Sequence, residues 1–506
     1  MGQYRFAIPN SERFATDSLI AAQIVGLDGI PYPCKTVQHE NLLLLNRNTD
    51  LSGRLLLPYT TTTHGELAIC TGTLPESETP YLLDVELARG CLNRLRNQVS
   101  IWDEGGLRIN DDFHQRLSRI IGDFASVVFQ KGDPKRIPAC ERVLDETVEL
   151  MFEITDEFSA QIAALHNAQP KNIPVIAGSV FDGQVSATRR ASQSAASVQR
   201  MTQPESLTGE NGEAKFDLSQ TTDVINWLND PAAPTVRIVG PLLQFDNTAL
   251  PDWMPEEGGF DARLDAAKQM CRKFGAEYQK RIKILHITSG LSGVGHQHFN
   301  YPQQLQMTLE MLETLDQVMP NTSMMVSFDQ PWGERLSMAT GGVQAMEIAD
   351  SLLRYGARIS AFGLEFNLDY WPHGTLVRDP LQWVDMIDRW SQFGLPLAAY
   401  LTAPTSANGK AKESITGRFA KTIRGSTESA RHQQYLTTVF NFLVRRPAVN
   451  VVAWRRSMDN DNLRFPLSGL FDDQGDEKEA FDWFCDLVQN IKETQERSTE
   501  DTLPPY

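Results

Sequence analysis

Two glutamates stand on either side of a helix-like stretch, each among acids and aromatics: Glu334 and Glu365. Glu334 closes the loop Asp329-Gln-Pro-Trp-Gly-Glu334, and Glu365 opens the loop Glu365-Phe-Asn-Leu-Asp-Tyr-Trp371. Cleavage of a glycosidic bond needs one protonated carboxyl group to assist the leaving oxygen and a second carboxylate as nucleophile or base. The two stand about 5–5.5 Å apart for retention and roughly 6.5–9.5 Å apart for inversion. In that chemistry Glu365 is the nucleophile or base and Glu334 the general acid, with Asp329 tuning them by like-charge proximity. The same glutamates read equally well as structural groups that hold Arg or backbone N–H groups.

Other side chains of the same loops could receive a ligand. Gln244, Asp246, Asn367 and His298 offer amide, acid and imidazole groups, and Trp253, Trp332, Trp371 and Trp454 offer flat apolar faces. That mixture suits a sugar, whose hydroxyls want acids and amides and whose C–H faces pack on rings. Each tryptophan also has a plainer reading as packing at a rim. The pair His296-x-His298 has no placed third ligand, so no metal is expected. Gly290, Gly293 and Gly295 match neither a dinucleotide fingerprint nor a P-loop, and no Gly-x-Ser-x-Gly elbow occurs, so no nucleotide or other cofactor is expected.

These loops follow apolar strands. Ser323–Phe328 and Arg358–Leu364 are strand-like, with helical apolar spacing over Gly342–Tyr355 between them. The alternation extends in both directions. Strands are predicted at Ile173–Phe181, weakly at Ser197–Met201, and at Thr235–Leu243, Ile282–Thr288, Leu395–Leu401 and Asn450–Trp454. Helices are predicted at Leu218–Leu228, Phe260–Arg281, Gln303–Met319, Pro380–Phe393, Ser426–Arg445 and Lys478–Ile491. Eight strands with intervening helices make a (β/α)8 TIM barrel, whose functional face is the set of loops after the strands.

The fold class is therefore α/β, with the barrel preceded by a small β-sandwich and a helical connector. Residues 1–78 carry short strands at roughly ten-residue spacing, 79–168 long helices (helical spacing from Leu83 to about Lys131, then a second helix over Asp145–Asn167), 169–494 the barrel, and 495–506 a polar tail expected to be disordered. The segment Ser186–Lys215, rich in Ser, Ala, Gln and Gly, reads as a long loop around the weak strand. At 506 residues the chain exceeds one compact core. A net charge of −17 argues against nucleic acid or an anionic membrane as the main partner. The start lacks the apolar run of a signal peptide, no stretch reaches membrane-spanning length, and six scattered cysteines read as reduced thiols. A cytoplasmic location is expected; the oligomeric state is not encoded legibly.

From about Ile173 to Ile491 the chain resembles the family 10 glycoside hydrolases, the xylanase-type barrels. The resemblance rests on Gly240-Pro-Leu-Leu-Gln-Phe-Asp-Asn-Thr-Ala-Leu-Pro-Asp-Trp253, on Phe362-Gly-Leu-Glu365 and on Gly469-Leu-Phe-Asp-Asp-Gln-Gly-Asp-Glu-Lys-Glu-Ala480. Asp329-Gln-Pro-Trp-Gly-Glu334 and Arg378-Asp379 are similar to members with an extra amino-terminal domain. The resemblance implies a carbohydrate ligand, with a catalytic acid in an Asn-Glu pair after strand four and a nucleophile in a Thr-Glu-Leu-like segment after strand seven. Here those strands end His286-Ile-Thr-Ser-Gly290 and Tyr400-Leu-Thr-Ala403, and neither offers a carboxylate. Either the acids have moved to Glu334 and Glu365, or the barrel binds a sugar without cleaving it.

Overall fold

The computed structural model describes residues 2–14, 19–129, 133, 135–167, 175–181, 196–199, 205–208, 214–217, 222, 236–246, 249–339, 341–405, 426–459 and 464–500. In the amino-terminal part, β1 (Gly2–Ala7), β3 (Cys34–His39), β4 (Leu42–Arg47) and β7 (Tyr81–Leu82) form one sheet in the order β3-β4-β1-β7. A second sheet joins β2 (Gln23–Val25), β5 (Arg54–Thr61) and β6 (Gly65–Cys70) in the order β2-β5-β6. Period-two alternation puts Tyr4, Phe6, Leu43 and Leu45 of the first sheet and Ile24, Leu55, Leu57 and Tyr59 of the second into one buried cluster.

Three helices follow: α1 (Leu83–Glu104), α2 (Asp111–Phe129) and α3 (Arg136–Asn167). One continuous helical stretch is predicted over the first two, but Gly105-Gly106 ends α1, with Gly106 at a φ of 94°. The third begins at Arg136, a good two turns before its predicted start at Asp145.

The barrel closes completely. Its eight parallel staves are β8 (Ile176–Phe181), β9 (Ala196–Gln199), β12 (Val236–Val239), β14 (Ile284–Leu291), β15 (Ser323–Asp329), β16 (Ala361–Asn367), β17 (Leu397–Thr402) and β18 (Val449–Trp454). Each pairs with the next and β18 pairs with β8. The weak second strand is therefore a stave. The loop expected around it also holds an antiparallel hairpin, β10 (Glu205–Thr208) with β11 (Ala214–Asp217). The predicted strand Thr235–Leu243 is cut at Gly240-Pro241, where Pro supplies no N–H and Gly240 has a φ of 128°; β13 (Leu243–Gln244) resumes the pairing with β14.

Around the staves lie α4 (Gly259–Tyr278), α5 (Tyr301–Val318), α6 (Ala345–Arg354), α7 (Pro380–Ser391), α8 (Ser426–Val444) and α9 (Glu479–Glu500). The helix predicted at Leu218–Leu228 lies outside the described residues, Thr222 excepted. The carboxyl-terminal helix runs through Glu500, past the point where a disordered tail is expected at 495. Outward residues of the staves meet these helices: Phe328 and Phe362 form an edge-to-face pair at 5.4 Å, with Trp390 of α7 against both.

The amino-terminal sheet and the barrel share backbone hydrogen bonds. Ala68 N–H donates to the Val377 carbonyl at 2.6 Å, and Gln382 Nε2 donates to the Ala68 carbonyl at 2.6 Å. Beside them Asp379, the N-cap of α7, accepts both η nitrogens of Arg94 from α1 at 2.8 and 3.0 Å. Asp379 has no exposure, and Arg94 outweighs the burial that would otherwise protonate it, holding the carboxyl below its ordinary range. Removing one partner of such a pair strands a buried charge. Arg94→Ala is expected to lower the unfolding free energy by about 3–5 kcal/mol in urea denaturation; a loss under about 1 kcal/mol, typical of exposed pairs, would show that this contact is dispensable.

Candidate functional site at the barrel mouth

Strand parity decides what enters the lumen. The lower lumen is apolar, filled by Val180, Ile238, Met325, Ala398, Val451 and Ala453 with the ring of Tyr400. Three of the strands then turn polar on the same face as they near their carboxyl ends: Ser327 and Asp329 on β15, Glu365 and Asn367 on β16, and Arg455 just past β18. The register sets Asp329 beside Glu365 and Glu365 beside Tyr400. His286 from β14 stacks on Tyr400 with ring centroids 5.6 Å apart and meets Ser327 Oγ at 2.9 Å.

Arg455 organises the top layer. Its Nη1 lies 2.8 Å from Glu365 Oε2, and its Nη2 donates to Asp246 Oδ2 at 3.0 Å. Glu365 Oε1 accepts the Gly290 N–H at 2.8 Å and the hydroxyl of Ser327. Gly290 permits this approach: its φ is 72°, and a Cβ there would stand 2.9 Å from Asp246 backbone and side-chain atoms. Asp329 forms the second node, accepting Arg464 Nη1 at 3.0 Å and Asn367 Nδ2 at 3.0 Å. His296 Nε2 lies 2.8 Å from the Gly290 carbonyl, which can only accept, so the proton is on Nε2. Nδ1 then accepts from Arg335 and Arg464, each at 3.3 Å.

Asp246, Asp329, Glu365 and Asn367 are all at most 4% exposed, so these contacts act in a low dielectric. One guanidinium shared by two carboxylates cannot neutralise both. Burial pushes Glu365 upward, Asp246 and Asp329 add to the push, and Arg455 and Ser327 only partly oppose it. Burial acts on Asp246 too, but Arg455, Arg456 and Arg464 overcome it and hold this carboxyl far below its ordinary range. Burial and the facing Arg464 and Arg335 keep His296 neutral, well below the ordinary histidine value.

The two glutamates do not share this site. Glu334 begins a 3-10 turn, Glu334–Met338, has no exposure and binds Arg378 Nη2 at 2.6 Å. Arg378 stacks over Trp332 at 5.0 Å and donates to Gln382 at 2.8 Å, on the side where the amino-terminal sheet abuts. No described contact is common to Glu334 and Glu365. The partners of Glu365 are instead Gly290, Ser327 and Arg455, and Arg455 links it on to Asp246 and Asn367.

The tryptophans are not free walls. Trp454 is fully buried, donates to the Ser468 carbonyl at 2.9 Å and packs on Trp483 and Phe484; Arg455 faces inward, so its neighbour must face out. Trp332 lies between Phe366 and Trp383, Trp253 is 2% exposed, and Trp371 packs on the cluster of Ala21, Leu56 and Ala68. His298 contributes its carbonyl to Arg263 Nη1 at 3.1 Å. Gln244 lines a cavity with His286, Ser289, Glu365, Tyr400 and Arg455 that takes water-sized particles over about 20 Å³, room for a water and not for a sugar ring. Among the described residues no group of three or more His, Cys, Asp or Glu side chains could hold a metal, and no helix is long and apolar enough to cross a membrane. The organising arginines Arg455, Arg464 and Arg335 were missed from sequence; the run Trp454-Arg-Arg456 at a strand end opposite several acids was the available signal.

No protein-family model and no curated protein matches the chain. Among solved structures it is similar to a family 10 xylanase with a bacterial Ig-like domain from termite gut, at 14% identity over 64% of this chain and 77% of that one, with a TM-score of 0.44. It is similar to native xylanase 10B of Thermotoga maritima at 10% identity over 66% of this chain and 98% of that one, with a TM-score of 0.45. Xylanase 10B of Thermotoga petrophila RKU-1, solved with xylobiose, gives 11% identity over 64% and 99%, with a TM-score of 0.43.

The buried histidine under this layer sets a pH dependence. Burial and Arg455 lower His286 to about 3, against about 6.5 in the unfolded chain. Between those values the unfolded chain binds more protons, so His286 makes stability rise with pH up to about 6.5 and fall as the pH drops toward 3. Its share is at most about 1.4 kcal/mol per pH unit. His286→Gln should flatten the slope of urea stability between pH 6 and 4; an unchanged slope would show that His286 takes a proton without penalty.

Proposed function

We propose that this chain is a carbohydrate-binding barrel of the glycoside-hydrolase type that does not hydrolyse its ligand. The observation that carries the reading is Arg455, whose guanidinium pairs with both Asp246 and Glu365 and so occupies the carboxylates a cleavage site would need free. A buried carboxylate whose Oε1 takes a backbone N–H and a hydroxyl and whose Oε2 is ion-paired with an arginine acts as a structural acceptor in this reading rather than as a nucleophile. Glu334, spent on Arg378, supplies no second carboxyl group to that place. The carbohydrate class is supported by the resemblance of the barrel segments and by the acid and amide side chains at the strand ends.

One observation favours a hydrolase instead. Glu365 is pushed up and Asp246 down, the division that separates a general acid from a base. A substrate would then have to draw Arg455 aside.

Turnover separates the two readings. Aryl glycosides and xylo-oligosaccharides are expected to yield no product above the uncatalysed rate, while Glu365→Gln changes an oligosaccharide Kd measured by calorimetry by less than about 3-fold, under ~0.7 kcal/mol. Product release that disappears in Glu365→Gln would establish the hydrolase.

A further inference from the structure

We propose that the seam between the amino-terminal sheet and the barrel holds a site for one small monovalent anion, of the size and charge of chloride. A cavity of about 40 Å³ lies in that seam. Arg54 and Cys70 of the second sheet, Arg94 of α1, and Arg378, Asp385 and Arg389 at α7 line it. A water needs at least about 10–15 Å³, so the space takes a few waters or one halide ion and excludes a sugar.

Strand parity aims one guanidinium into this space. Ile24, Leu55, Leu57 and Tyr59 face the core of the amino-terminal domain. Val25, Leu56, Ala68 and Cys70 face the other way and pack with Leu376 of the barrel. Arg54 stands directly opposite Val25 and two residues before Leu56, so its side chain leaves the sheet on the barrel side. From the barrel, Gln382, Asp385 and Arg389 recur at helical spacing along α7 and form the stripe that meets it. The turn at Gly29 closes over Arg389: a Cβ there would stand 2.6 Å from both η nitrogens.

The balance of charge gives the site its sign. Two of the four lining arginines are committed: Arg94 holds Asp379, and Arg378 holds Glu334 and Gln382. The other two are not. The guanidinium of Arg54 makes no hydrogen bond and no ion pair with the described residues, and its Nε is shut off from solvent. Arg389 donates Nη1 to the Asp28 carbonyl and forms no ion pair among the described residues. Arg378, 3% exposed, also keeps an Nε without a hydrogen bond. Asp385 is the one acid of the lining; it lies within electrostatic reach of Arg54, Arg94 and Arg389 and pairs with none of them. Even with Asp379 and Glu334 included, four arginines meet three acids, a local excess of one positive charge on a chain of net charge −17. A water can accept from an idle guanidinium but cannot neutralise it, whereas a halide ion does both. The single excess charge matches a monovalent ion. Held between Arg54 of the sheet and Arg389 of the barrel helix, that ion ties the two parts across the seam.

The test is urea denaturation of the full chain at constant ionic strength, with sodium chloride exchanged stepwise for sodium gluconate, whose anion is too large for the cavity. Stability is expected to rise with chloride, by about 1.4 kcal/mol for each ten-fold step above the dissociation constant. Arg54→Met keeps an apolar stem and removes the charge. This variant is expected to lose the chloride response and to be at least as stable as the parent in gluconate, because it relieves an uncompensated charge. In crystals of the full chain soaked with sodium bromide, one anomalous peak is expected between Arg54 and Arg389. A midpoint indifferent to chloride, a chloride response retained in Arg54→Met, or no bromide at the seam would overturn the proposal and leave the space to water.

Discussion

A buried arginine shared by two carboxylates is the constraint on which the upper half of the barrel depends. Arg455 joins the third stave to the sixth through Asp246 and Glu365, and Glu365 joins both to the fourth and fifth through Gly290 and Ser327. Such charges are tolerated inside a protein only when their remaining hydrogen-bonding capacity is met. The surrounding residue choices follow from that demand. Gly290 must lack a side chain so that its N–H can reach Glu365, Asn367 must bridge to Asp329, and His296 must stay neutral between two guanidinium groups. Two acceptors of this layer, Glu365 Oε2 and Asp246 Oδ1, keep no hydrogen bond, and these are what a donor arriving from above would meet.

The lower lumen shows why this layer sits where it does. Met325, Ile238, Val451 and Ala398 close the barrel below with apolar contacts. Tyr400 and His286 mark the transition, polar at one atom and packed on every face. The lumen therefore grades from oil to ions over the length of one strand, and the polar end coincides with the strand exits, the end at which a parallel barrel carries its functional loops.

Much of this was legible in the sequence because strand parity is a local property. The runs Ser327-Phe328-Asp329 and Glu365-Phe366-Asn367 alternate polar and apolar residues, which fixes the acids in the lumen and the phenylalanines against helices. The eight-strand alternation was equally local, though the second strand near Ser197 gave only a weak signal within a segment rich in Ser, Ala, Gln and Gly. What could not be read was which distant groups meet. Arg455 and Asp246 are 209 residues apart, and Arg94 and Asp379 are 285 apart. Glu334 lies in a 3-10 turn, where no parity applies, so its commitment to Arg378 carried no local signal. Trp454 is the opposite case: alternation from Ala453 to Arg455 already implied that it faces away from the lumen.

The seam between the amino-terminal sheet and the barrel bears on how such a protein can change over evolutionary time. Ala68 of β6 and Val377 of the barrel share a backbone hydrogen bond, and Arg94, from a helix outside the barrel, satisfies the N-cap carboxylate of α7. A module joined to its neighbour by a flexible tether can be lost, duplicated or traded between genes without disturbing either part. Here the barrel has delegated part of its own polar bookkeeping to residues encoded nearly three hundred positions upstream. The front of the chain is thus not an interchangeable cassette. A recombination event that separated it from the barrel would leave the Asp379 carboxylate unpaired on one fragment and Arg94 unpaired on the other, with the Ala68–Val377 hydrogen bond broken between them.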